Sequence, residues 1–112
     1  MSDIVFPERY PMRRFTLPPG ESTIGRRSAR KGIEPEVDLA GAQEDPAVSR
    51  AHAVVVVGDD GSCSLVDLGS TNGTWLSGAD EPIERGVPVK LCDGATFHVG
   101  AWTAITVRYD DD

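Results

Sequence analysis

The stretch AHAVVVV, Ala51 to Val57, decides the class of fold. Valine branches at Cβ, which stiffens χ1 and suits a pleated strand better than a helix. The run has apolar side chains on both faces instead of alternating, so it belongs in the middle of a sheet, covered on both sides. On either side the chain holds further short segments rich in valine, isoleucine and threonine. Glycine and proline recur too often for a long amphipathic helix. Strands are predicted at 12–17, 22–25, 37–39, 51–57, 62–67, 74–76, 87–91, 96–99 and 104–109, with 4–6 as an edge strand. The connectors PPGE (18–21), GDDGS (58–62), SGADEP (77–82) and CDGA (92–95) carry turn chemistry. Many short strands with such turns favour an all-β, two-sheet sandwich over a parallel sheet.

At 112 residues the chain is of the size of one domain with one core, expected to span 1–112 with its core at about 14–109. Eleven Lys and Arg stand against eighteen Asp and Glu, a net charge of -7. That balance argues against nonspecific binding of nucleic acid or anionic membranes, which depends on basic groups neutralising phosphates. Four of the eleven basic residues nevertheless cluster at Arg26, Arg27, Arg30 and Lys31. Cys63 and Cys92 sit in apolar contexts and read as reduced packing residues of a cytoplasmic protein. No window approaches the ~20 apolar residues of a membrane span. Arginine outnumbers lysine nine to two and asparagine occurs once, a bias of GC-rich bacterial genomes. Trp75 and Trp102 read as core or sheet-surface residues, and 110–112 as a solvated acidic tail.

Three segments stand where a strand meets a connector: IGRR at 24–27, SRAH at 49–52 and GSTNGT at 69–74. Loops from distant parts of a sandwich gather at one end, so these three are candidates for a single site. Arg26 offers a guanidinium fork, Ser49 and Thr71 offer hydroxyls, and Asn72 an amide that both donates and accepts. Donors converging on one spot suit a phosphate, with its charge of about -1.5 to -2 and three acceptor oxygens. For Gly73 a turn is explanation enough, because Asn-Gly is a strong hairpin signal. For Asn72 the turn and a ligand role are compatible.

In this order, Gly25-Arg26, Ser49-x-x-His52 and Asn72-Gly73 resemble the motif set of the forkhead-associated domain, over about residues 14–109. The resemblance implies a sandwich of about eleven strands that reads phosphothreonine peptides through loops at one end. It assigns Arg26, Ser49 and Thr71 to the phosphate, Asn72 to the peptide main chain, and Arg50 to the peptide backbone or phosphate. It gives Gly25 the role of letting the chain turn, and His52 that of holding the phosphate-binding loop. A preference for threonine is attributed to a small pocket for its γ-methyl group. Such a module works in serine/threonine kinase signalling, with a kinase or its substrate as partner, and needs no cofactor. The connection from Arg26 to Ser49 is longer than the family pattern requires. Arg27, Arg30 and Lys31 are secondary candidates there for an acidic or multiply phosphorylated partner, and Ser70 is one beside Thr71.

Two other classes of function compete. Ser49, His52 and Asp67 invite comparison with a hydrolase triad, but no GxSxG elbow precedes the serine. Nor is there a CxxC or HxxxH pair for a metal; His52, Cys63, Cys92 and His98 are scattered. No catalysis is expected. The alternative is a scaffold that binds partners independently of phosphate, through a sheet face or an edge strand.

Overall fold

A computed structural model of the chain describes residues 2–5, 13–41 and 45–109. Ten strands stand among them: β1 (Ser2–Val5), β2 (Arg14–Leu17), β3 (Gly20–Gly25), β4 (Val37–Asp38), β5 (Ala53–Val57), β6 (Cys63–Asp67), β7 (Thr74–Leu76), β8 (Val89–Leu91), β9 (Thr96–Val99) and β10 (Thr103–Tyr109). They form two five-stranded sheets, ordered β2-β1-β10-β9-β7 and β4-β3-β5-β6-β8. Pairing is antiparallel throughout, except that β4 lies parallel to β3.

β5 sits between β3 and β6, as a strand with two apolar faces must. Ala53, Val54, Val55 and Val57 are all buried. β6 alternates instead: Cys63, Leu65 and Asp67 point inward, while Ser64 and Val66 are half-buried. Phe97 and Val99 of β9 and Ile105 and Val107 of β10 meet Ile24, Val55, Leu65 and Leu91 in one core between the sheets. Tyr109 ties the sheets together at one end, where its hydroxyl donates to the Leu91 carbonyl and accepts from the Cys63 N–H at 3.2 Å.

Four local expectations change. The strand expected at 4–6 is Ser2–Val5 and is no edge, since β1 pairs with both β2 and β10; Phe6 lies outside the described residues. The central strand begins at Ala53, because His52 is drawn into loop contacts and Ala51 is exposed. Cys63 is core, but Cys92 is exposed, placed in the turn that follows β8. Trp75 is half-buried, whereas Trp102 is 42% exposed at the tip of the β9–β10 turn. The expected acidic tail lies outside the described residues, as do Met12 and residues 42–44.

The register places the site. Ile24 pairs with Ala53, and Ala53 with Asp67, in one row across β3, β5 and β6. The segments that follow β3, precede β5 and follow β6 therefore leave the sheet at the same end. Thr74 at the start of β7 pairs with Val99 at the end of β9, so the β9–β10 turn belongs to that end too. A parallel pair needs a crossover of about a dozen residues, which is why the β3–β4 connection is long.

Candidate functional site

The three loop segments singled out by their chemistry do meet. They enclose an open depression of about 290 Å³ lined by Arg26, Ser49, Arg50, Thr71 and Asn72, with Lys31, Ile33 and residues 46–48 completing the wall. Hydrogen bonds between the loops hold it in shape. The Ser49 hydroxyl accepts from the Thr71 N–H at 3.1 Å, which points the serine oxygen at the glycine-rich loop and leaves its proton to be donated. The Arg26 Nε donates to the Val48 carbonyl, and its backbone N–H to the Arg50 carbonyl at 3.1 Å. The Asn72 amide nitrogen donates to the Ala47 carbonyl at 2.9 Å, and the Trp75 indole to the Asn72 carbonyl at 3.1 Å.

Gly25 is required here, though not for a turn, since its φ is not positive. A Cβ at this position would stand 1.8 Å from the Arg50 carbonyl oxygen, so only glycine lets β3 run this close to the serine loop. Gly73 does use the left-handed region, at φ 83°, where a side chain would also press on Pro82 and Trp75. Asn72 has no positive φ, so the Asn-Gly pair does not make the two-residue hairpin turn its sequence signals. The side chain of Asn72 is fastened to the opposite loop instead.

His52 is fully buried. Its Nδ1 accepts from the Ser49 N–H at 3.0 Å, so its proton is on Nε2, which donates to the Gly73 carbonyl at 2.9 Å. One neutral imidazole thus joins the serine loop to the glycine loop. Burial holds its pKa below the usual imidazole value, against the Gly73 carbonyl and the charges of Asp67 and Asp45, which pull it upward. Both ring nitrogens are occupied by backbone groups, and neither faces the Ser49 hydroxyl. The serine and histidine of the imagined triad are therefore not a nucleophile and its base. Among the described residues no cluster of three or more His, Cys, Asp or Glu is arranged to hold a metal.

Two carboxylates that the sequence reading did not assign organise the loops. Asp67 accepts from the Gly69 and Ser70 N–H groups at 2.9 and 3.2 Å, and from the Ser70 and Thr74 hydroxyls at 2.5 and 2.7 Å. Asp45 accepts from the N–H groups of Ala47, Ala101 and Trp102 and the hydroxyl of Thr103, all within 2.8 to 3.0 Å. It staples the serine loop to the β9–β10 turn. Burial alone would raise both pKa values, but these donors together outweigh it and hold both carboxyls below their usual value. Each aspartate accepts from the N–H two residues ahead, an Asx-turn signal that was legible in Asp45-x-x and Asp67-x-Gly.

The secondary candidates divide. Lys31 lines the depression. Arg27 instead turns to Asp38, its Nε 3.8 Å from the carboxylate, and Arg30 is exposed outside the lining. Ser70 gives its hydroxyl proton to Asp67 and also lies outside the lining.

Residues 22–100 match the family model of the FHA domain. The chain belongs to the FHA domain family. FHA domains are binding modules. Two solved FHA structures, each 27% identical, overlay on nearly all of this domain. One comes from a structural and functional analysis of phosphothreonine-dependent FHA domain interactions, with a TM-score of 0.75 over 98% of this chain and 97% of that one. The other is the FhaA FHA domain complexed with the intracellular domain of Rv3910, with a TM-score of 0.73 over 96% and 100%. A protein phosphatase 1 regulatory inhibitor subunit PPP1R8 homolog of Arabidopsis thaliana is 41% identical over 59 residues, 53% of this chain. The chain spans only 15% of the length of that relative.

Proposed function

We propose that this FHA domain binds phosphothreonine in a partner protein, within serine/threonine kinase signalling in the cytoplasm, and catalyses nothing itself. The observation that carries this reading is the convergence of Arg26, Ser49, Arg50, Thr71 and Asn72 on one depression at the end of the sandwich. Arg26 and Arg50 supply positive charge, and the Ser49 and Thr71 hydroxyls supply donors, for an acceptor-rich dianion. Asn72 keeps its Oδ1 and second amide hydrogen for the peptide main chain, so it sets the direction of the bound strand. The FHA structure from an analysis of phosphothreonine-dependent interactions, and the FHA domain complexed with a protein's intracellular domain, support the assignment by likeness.

The test is a matched pair of peptides that differ only in the threonine phosphate, titrated against the wild-type chain and Arg26→Ala. The phosphorylated peptide is expected to bind and its partner not. A charge-assisted hydrogen bond contributes roughly 1.5 to 3 kcal/mol, so Arg26→Ala is expected to weaken binding about ten- to a hundredfold. Equal binding of the two peptides overturns the reading in favour of a phosphate-independent scaffold.

A further inference from the structure

The basic residues that follow Arg26 do not share one environment, and the cause is a small folded element in the β3–β4 connection. Ser28 and Ile33 exchange N–H···O=C bonds, both 2.9 Å. Within that bridge the Lys31 and Gly32 amides donate to the Ser28 and Ala29 carbonyls at 3.3 Å, and Gly32 takes a φ of 68°. The bridge turns Lys31 and the half-buried Ile33 into the wall of the depression, while Arg27 goes to Asp38 and Arg30 stays outside.

The wall consequently carries three cations, Arg26, Lys31 and Arg50, with no carboxylate among its described lining residues, in a chain of net charge -7. A phosphothreonine brings about -1.5 to -2. Two cations match it, and the third is left to face something else. Resting on the phosphopeptide reading above, we infer that Lys31 on its Ser28–Ile33 bridge forms a second anion subsite, which selects ligands carrying a further negative group near the phosphothreonine. An ammonium on a flexible stem is a point charge without a fixed fork, so a carboxylate and a second phosphate are both acceptable there.

The experiment measures affinity on the full 112-residue chain for a phosphothreonine peptide with alanine at its other positions. Variants of that peptide carry one glutamate, moved position by position on either side. At least one position is expected to bind about two- to fivefold more tightly with glutamate, the range of an exposed ion pair. That ratio is expected to vanish in Lys31→Ala, to invert in Lys31→Glu and to persist in Arg30→Ala. Replacing the favoured glutamate by a second phosphothreonine distinguishes the two sources by which gives the larger gain. A ratio that survives Lys31→Ala, or that Arg30→Ala abolishes equally, overturns the subsite. So does the absence of any glutamate-preferring position while the phosphate itself is still required. Loss of the phosphate requirement would instead sink the proposed function.

Discussion

Gly25 and Asn72 were visible from the start as members of a motif, yet in both the physical reason lies in a partner distant in sequence. The carbonyl of Arg50 leaves no room for a Cβ at Gly25. Gly25→Ala is therefore expected to destabilise the fold by about 1 to 3 kcal/mol or more, as overpacking does, with phosphopeptide binding lost in parallel. A thermal midpoint equal to that of the wild type would refute this. For Asn72 the expectation is the reverse. Its backbone needs no special conformation, and its side chain holds the Ala47 carbonyl. Asn72→Ala should lose only about 1 kcal/mol of stability while binding falls by more than that, measured by denaturant titration and peptide titration of the same preparation. A variant that unfolds would show the turn to be the residue's main role. Residue types and spacing pointed to side chains that the fold brings to one depression, but nothing in a linear pattern tells which carbonyl a guanidinium or an amide will meet.

At the level of elements, the strands were the most legible part, because β-branching and turn residues act locally; β7 and β9 have the expected bounds. The connection from 26 to 48 was the least legible. By composition its first part, 26–35, is basic and its last, 40–48, reads as a flexible acidic loop, but Asp45 fastens that loop. Four donors, two of them from the β9–β10 turn and one from the first residue of β10, converge on a carboxylate that is only 2% exposed. Asp45→Asn keeps the shape but replaces two acceptor oxygens by one, leaving amide hydrogens opposed to backbone N–H groups. It is expected to lower stability by about 1 to 3 kcal/mol and to weaken binding through the misplacement of Ser49 and Arg26. Unchanged affinity would mean that the serine loop holds its place without this staple. Long-range staples of this kind leave only an Asx-turn signature in sequence, and that signature does not tell which distant donors the carboxylate will meet.

For the molecule as a whole, acid should act in two stages. His52 is neutral in the fold with its pKa below 6.5, so the unfolded chain takes up its proton first, and stability falls as pH drops below about 6.5. Asp45 and Asp67 have folded values below 3.8, so their contribution is complete above that value and is lost as pH falls through the folded ones. Thermal midpoints of the ligand-free chain recorded from neutral to acid pH should show both declines. A midpoint that stays level from neutral pH down to the carboxylate range would contradict the burial of a neutral His52. Phosphopeptide affinity should decline in the upper stage as well, because the phosphate takes a proton near ~6, and it should fall with added salt. The sandwich followed from composition and pattern. What that pattern lacked was the mutual bracing of its loops, which depends on three-dimensional register. This bracing has a kinetic side. The amides of Ser49 and Thr71 stand at the rim of an open depression, yet each is donated to a side chain of the serine segment. The Thr71 hydrogen can exchange with solvent only when the serine segment lifts away, and that of Ser49 only when its own loop opens from the His52 ring. A ligand therefore meets a surface already set and has little left to rearrange when it docks.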